Sequence, residues 1–544
     1  MAVPSSRDAR KLECRDRVTM PHKRHVRPRV RAHDPVDLEN LMSSMDADKT
    51  VEPAWRRWMI LAAIVYPAGL YVGAQTIANA ALPQMQGDLS AGIDQISWII
   101  TASVVASAIG IPPTGWLADR YGRRKVMLGA MVLFAISSML VGLADNLGTV
   151  VLFRVFQSFF GAPLVALSQA ITIDLFEDES RGTALAAWSM GVLVGWVMAP
   201  SLGAYIAEIE SWRVIFFMLA PFSVIGMATL LLAPDTPRQA TKPFDWTGFA
   251  TLSMALICFL IVLNRGQRQD WFESTEIILL SVTGCAALYY FLVHTWRTPH
   301  PFIRWQIFRD RNYALGILIT FIYAGLTLVP LVLTPPMLVE LRGLELLTTG
   351  LVLIPRGLAQ IFGLLFIGYL ITKFDPRWLN VAGWCVYAIG GWQMTNFNLD
   401  VGWWDVVWPN VVQGIAMAFM LIPATTLLYS NLKEEFRVDA AVVMQLAYSL
   451  SSSIGVAVAV TLLARSAQIA QEELAGNVFP ANELFRFPES GSVDFSSASS
   501  LSAIQAEVAQ QALMIAYVNV FWTTLIVTVV CAPLALFFKL KPRD

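Results

Sequence analysis

The residues best able to do chemistry in this chain are charges placed where charges are costly. The segment GWLADRYGRRK, residues 115–125, sets one carboxylate, Asp119, among Arg120, Arg123, Arg124 and Lys125. Gly115 and Gly122 in the same segment allow close helix approach and a tight turn. Such a cluster can form a charge network that holds one face of a membrane protein shut and breaks when that face opens; the plainer alternative is an anchor that only fixes orientation. Arg154, in RVFQSFFGAP, and Arg356, in LIPRGLAQ, lie inside long apolar runs. A cation at the centre of a membrane helix costs about 2.5–3.5 kcal/mol on insertion scales, so each must face protein or water. Gln75, Asn79, Gln157 and Gln413 are further polar side chains in apolar surroundings, and Gln75, Asn79, Arg356 and Gln413 are candidates to line a cavity. Few carboxylates could carry a proton across: Asp174, Glu208 and Glu340 sit near the ends of apolar runs, where solvated rim charge is the competing reading.

Composition says what must position these residues. Of 544 residues, 56% are apolar and 15% charged, against about 45–50% and about 25% in soluble globular chains. That excludes a soluble enzyme and supplies enough apolar length for about 12–14 membrane helices. The apolar runs are continuous rather than alternating, which excludes a transmembrane β-barrel. A net charge of −1 gives no sign of a nucleic-acid partner. A membrane-embedded enzyme is disfavoured. Of five histidines, His22, His25 and His33 lie in the N-terminal tail, and His294 and His300 flank one loop. There is no HExxH, no dense metal-ligand cluster and no GxxxxGK[ST] phosphate loop. The five cysteines include no CxxC pair and read as small buried hydrophobes.

Apolar runs predict fourteen spans, near 58–82, 95–117, 126–144, 149–172, 183–206, 214–233, 247–263, 276–295, 314–338, 348–371, 379–397, 406–429, 439–463 and 514–538. With the N-terminus inside, 18 Lys and Arg fall on the cytoplasmic side and 6 on the other. That bias places both termini in the cytoplasm. Residues 1–57 form a basic, polar tail that reads as disordered, and Met42 or Met45 offers an alternative start. Residues 464–512 form a polar loop on the outer side.

The chain also repeats itself. Gly115 and Leu117 correspond to Gly368 and Leu370, 253 residues on, and Gln157 corresponds to Gln413, 256 residues on. A duplicated six-helix unit follows: one half over 58–233, an inserted pair of helices over 247–295, and a second half over 314–538. Transporters commonly carry such repeats, with the substrate site near the bilayer midplane. In the fifth span, Gly191, Gly195, Pro200 and Gly203 suit a hinge or a seal between halves, with tight static packing as the alternative.

Three of these segments, GWLADRYGRRK, RVFQSFFGAP and GVLVGWVMAPSLGAY, closely resemble motifs of the major facilitator superfamily. With fourteen spans, TIANAALP in the first and SWRVIFFMLAP after the fifth, the chain resembles the fourteen-span drug:proton antiporters of the EmrB/QacA type, nearest the EmrB kind. The resemblance implies an all-α polytopic major facilitator fold and a proton-driven multidrug exporter with no cofactor beyond the proton gradient. It implies a gating role for Gly115, Asp119, Arg120, Gly122, Arg123 and Arg124. It implies proton coupling through Arg154 and an antiporter motif in Gly191, Gly195, Pro200 and Gly203; Gln157 and the span-end carboxylates Asp174, Glu208 and Glu340 are the other coupling candidates. It further implies amphipathic drug-like substrates, a bacterial inner membrane, and a periplasmic adaptor with an outer-membrane channel as partners. A narrow-substrate exporter of a siderophore, amino acid or lipid-like metabolite is the alternative. Ala74 stands where such proteins commonly carry a first-span Asp, so no proton role transfers to that position.

Overall fold

The computed structural model describes residues 53–234, 243–298, 301, 303–344, 346–433, 436–478 and 497–539. Apart from Pro53, these lie in the compact unit Ala54–Asp544. Of the expected disordered tail, residues 1–57, the first 52 lie outside the described residues, and Ala54–Arg57 are instead helical.

The described elements are helical. In chain order they are α1 (Ala54–Asp88), α2 (Ile93–Ile96), α3 (Trp98–Gly110), α4 (Thr114–Tyr121), α5 (Arg123–Gly142), α6 (Leu147–Leu175), α7 (Asp178–Ile209) and α8 (Trp212–Leu230). There follow α9 (Trp246–Arg265), α10 (Thr275–Arg297), α11 (Arg311–Arg342), α12 (Leu346–Leu370), α13 (Pro376–Met394), α14 (Trp403–Tyr429), α15 (Arg437–Gly476) and α16 (Ala498–Cys531). Helix starts are written in short polar side chains. Asn146 accepts from the Thr149 N–H at 3.0 Å, Asp245 from Gly248 at 2.8 Å and Asp310 from Tyr313 at 2.9 Å. Each satisfies an otherwise orphaned donor, an effect of about 0.5–2 kcal/mol.

Among the described residues twelve helices are long and apolar enough to cross a membrane, or thirteen when α3 and α4 count as one bent span. The 47° bend between those two falls at Pro112–Pro113, which break the helical hydrogen-bond ladder. α13 occupies the eleventh expected span. It carries Arg377, Asn380, Gln393 and three tryptophans in 19 residues and falls short of the same apolar standard. A count of fourteen is compatible with this helix order. The polar stretch after the thirteenth span differs from expectation: α15 continues as helix to Gly476, and α16 already begins at Ala498. Only 479–496 between them lies outside the described residues.

Ion pairs and caps identify the two ends of the bundle. One end, here the motif end, gathers the start of α1, the end of α4, the starts of α5 and α15 and the end of α6. The far end joins α1 to the α7–α8 turn through Gln84, whose side chain bonds Ala207 O and Trp212 N. There Arg265 also pairs with Glu276 between α9 and α10. One apolar core runs through α1–α8 and takes in Val438, Ala441 and Val442 of α15; two others lie within α11–α16. α9 packs on α10 and on the sides of α3 and α15. The two large groups meet where α7 crosses α12: Thr183 Oγ1 donates to Gly368 O at 2.7 Å, and Val197 lies against Gly357.

Candidate functional site

The motif end holds a charge network built from both groups of helices. Gly122 links α4 to α5 at φ 88°, a left-handed value that disfavours any side chain. That turn aims Arg123 at Asp174, at the end of α6, and the two are in direct contact. Arg437, at the start of α15, reaches the other Asp174 oxygen at 2.7 Å. One carboxylate thus receives two guanidiniums from opposite sides of the molecule. Asp119 takes a partner that the motif itself does not contain. It pairs with Arg304, at 3.6 Å, from the segment after α10, and Arg123 of its own motif also acts on it electrostatically. Arg304 also lies 3.1 Å from Asp439 of α15, as an ion pair rather than an aligned hydrogen bond. A Cβ at position 115 would stand 2.9 Å from Asp439 Oδ1, so Gly115 is what lets α15 approach. Arg120 turns away and lies over the Trp116 and Tyr121 rings, at 5.1 and 5.7 Å. Arg124 has no ion pair among those described here. Ile307, fully buried beside Arg304, packs with Ile173 and Leu185 on one side and Leu428, Ala440 and Met444 on the other. Arg304, Arg437 and Asp439 were not legible as partners, because nothing in their local spacing couples them to residues more than 130 positions away.

Two buried arginines sit nearer the far end. Arg154, 1% exposed, donates to Gln157 Oε1 at 2.5 Å and to Ala74 O at 3.2 Å. Gln157 in turn donates to Ser138 Oγ at 2.6 Å. The Arg154 Nε–H has no partner among the described residues, and the guanidinium lies 5.7 Å from the Phe216 ring centre. Arg356, 3% exposed, donates to Asn410 Oδ1 at 3.2 Å, Gln413 Oε1 at 2.9 Å and Thr327 O at 2.8 Å. Gln413 is therefore a direct partner of Arg356, and both are packed in protein rather than open to a cavity. Neither guanidinium has a carboxylate partner among the described residues.

The remaining candidates are scattered. Gln75 donates to Tyr71 Oη at 2.7 Å and accepts from Ser158 at 3.4 Å. The Asn79 side chain lies outside the described residues. Glu208 and Glu340 are exposed, near the far-end termini of α7 and α11. The span-5 glycines face α1 within one group of helices. A Cβ on Gly191 would strike Val65, one on Gly195 the carbonyl of Gly69, and one on Gly203 the carbonyl of Ile77 at 2.8 Å. They set a close helix crossing, and the seal between groups falls on Gly182, Thr183, Ala186 and Val197 instead. Pro200 lies within α7, which continues unbroken to Ile209. An equivalent crossing that the sequence reading missed joins Gly325 of α11 to Gly455 of α15. Among the described residues no group of three or more His, Cys, Asp or Glu could hold a metal ion.

Comparison with known proteins places this geometry. The chain is 31% identical over 452 residues to the multidrug export protein EmrB of Haemophilus influenzae, covering 82% of this chain and 89% of that one. It is 31% identical to the fatty acid resistance protein FarB of Neisseria gonorrhoeae, over 85% and 92% of the two chains. The solved structure of the proton:xylose symporter XylE shares the fold at TM-score 0.57 and 13% identity, over 88% of this chain and 96% of that one. Residues 68–464 match the Major Facilitator Superfamily as a family, and the chain belongs to it.

Proposed function

We propose that this protein is a proton-driven exporter of amphipathic, drug-like compounds in a bacterial inner membrane, with the motif end and both termini in the cytoplasm. The observation that carries the reading is the network at the motif end. Asp174 joins Arg123 to Arg437, and Arg304 joins Asp119 to Asp439, so breakable ion pairs tie the two helix groups together at this end. Closing that end while the other opens is what alternating access requires. The 18 to 6 distribution of Lys and Arg supports the orientation. Relatives named for multidrug export and for fatty acid resistance support the substrate class: molecules with an apolar body and a polar end.

Mechanistically, protons enter from the far end and drugs leave through it. Arg154 and Gln157 hold the far-end halves of α1, α5 and α6 together where a proton or a charged substrate would pass. Asp174, Glu208 and Glu340 are the carboxylates proposed to carry the proton, since Ala74 leaves the first span without one. Division into two six-helix halves with α9–α10 inserted is part of the same reading. So is a tripartite pump. α15, at 40 residues, is about 60 Å long at 1.5 Å per residue, twice the hydrocarbon thickness of about 30 Å. Its extension and the start of α16 offer an exposed helical projection for a periplasmic adaptor.

The test is efflux of a fluorescent amphipathic dye from proteoliposomes across an imposed pH gradient. Dye movement that follows the gradient and stops when an ionophore collapses it supports the proposal. Movement indifferent to the gradient refutes antiport, and acceptance of one metabolite with exclusion of diverse dyes favours a narrow-substrate exporter.

A further inference from the structure

The internal repeat and the hydrogen bonds around the two buried arginines combine into something neither shows alone. Arg154 and Gln157 lie on α6, and the positions 256 residues later are Asn410 and Gln413, on α14. The glutamine is kept and the arginine is not. Yet the second group of helices still has a guanidinium at that place, delivered by Arg356 of α12. Its surroundings repeat those of Arg154 partner by partner. Arg154 bonds Gln157, and Arg356 bonds Gln413. Arg154 bonds the carbonyl of Ala74 on the first helix of its group; Arg356 bonds the carbonyl of Thr327 on the first helix of its own, 253 residues on. Gln157 continues to Ser138, and Gln413 lies 3.6 Å from the sulfur of Met394, again 256 residues on. Asn410, where the arginine would be by repetition, points its side-chain oxygen at the Arg356 guanidinium.

We infer that Arg356 is the relocated counterpart of Arg154, a positioning residue that transport requires in the second helix group as it requires Arg154 in the first. The physical argument rests on cost. A buried guanidinium surrounded by neutral partners gains no ion-pair energy to offset its desolvation, so holding one there is costly. Two such sites at matching places, reached from different helices, mean that the site matters rather than the residue's ancestry. Both lie a few turns in from the far end: Arg154 is seven residues into α6 and Arg356 ten into α12. At 1.5 Å per residue that is roughly 10–15 Å of depth. The titratable groups facing them are tyrosines: Tyr71 beside Arg154, and Tyr323 and Tyr387 beside Arg356. Each cation keeps the carbonyl of its group's first helix and the glutamine of the fourth in register, so both groups present the same face to the path between them.

The inference rests on the proposed gradient-driven export, and the full-length protein in proteoliposomes separates the two. Arg356→Asn is expected to lower gradient-driven dye efflux at least tenfold, and Arg356→Lys to lower it less. The deciding variant is the double exchange Arg356→Asn with Asn410→Arg, which returns the guanidinium to the helix where the repeat places it. It is expected to recover at least a third of wild-type efflux, a rescue that repair of packing alone would not give. Wild-type efflux in Arg356→Asn overturns the inference. So does a double exchange that transports no better than Arg356→Asn, whether the single variant inserts poorly or well. Wild-type efflux indifferent to the gradient defeats the export proposal instead and is read in the same experiment.

Discussion

Asp174 receives Arg123 from one side and Arg437 from the other, so a single carboxylate spans the closed cleft. A charge-assisted bond is worth about 1.5–3 kcal/mol, and losing one shifts a closed–open equilibrium roughly 10- to 150-fold. Asp174→Asn is therefore expected to open the motif end and cut drug resistance of an expressing cell, at unchanged amounts of membrane-inserted protein. Asp119→Ala and Arg154→Ala are expected to abolish efflux while insertion persists; full resistance in an Arg154→Ala cell would remove its coupling role. The residue scale is also where the sequence was least sufficient. Asp119, Arg123 and Arg154 stand in dense local motifs and were legible. Arg304 and Asp439 were not, because their meaning comes from a contact made across the fold.

At the scale of elements, glycine spacing sets how near helices can come. Gly195 meets the Gly69 carbonyl and Gly455 the Gly325 carbonyl, and neither place admits a Cβ without backbone movement. Gly195→Leu and Gly455→Leu are each expected to destabilise the fold by at least the roughly 1–3 kcal/mol of core overpacking, read as a lower melting temperature of the detergent-purified protein. Gly129→Leu is the control, since nothing lies within 4 Å of a Cβ there. The fifth-span glycines were legible as a packing motif, but their partner was not: four-residue spacing marks a close face without saying which helix it meets. The eleventh span shows the converse. Its apolar run was read as a span, yet α13 is polar enough, through Arg377, Asn380 and Gln393, to fall below the usual standard for crossing. Asn380 accounts for part of this, being fully buried and bonded to the Met420 carbonyl and the Trp384 indole.

At the scale of the whole molecule, two helix groups meet through α7 and α12 and through ion pairs at one end, with the segment after α10 wedged between them. Superfamily membership was legible because short motifs recur at fixed places along a long chain. The wedge was not, since Ile307 and Arg304 sit in a linker with no periodicity of its own. The account's central claim is that this end opens and closes during transport, and one pair of positions tests it directly. Thr183 and Gly368 face each other where α7 crosses α12. Cysteines at both positions, in a protein otherwise lacking cysteine, should form a disulfide readily in the resting protein. The bond should stop gradient-driven efflux, and a reductant should restore it. Adding drug with an imposed pH gradient should lower the rate of crosslinking as the motif end opens. Full efflux with the disulfide intact would contradict the account.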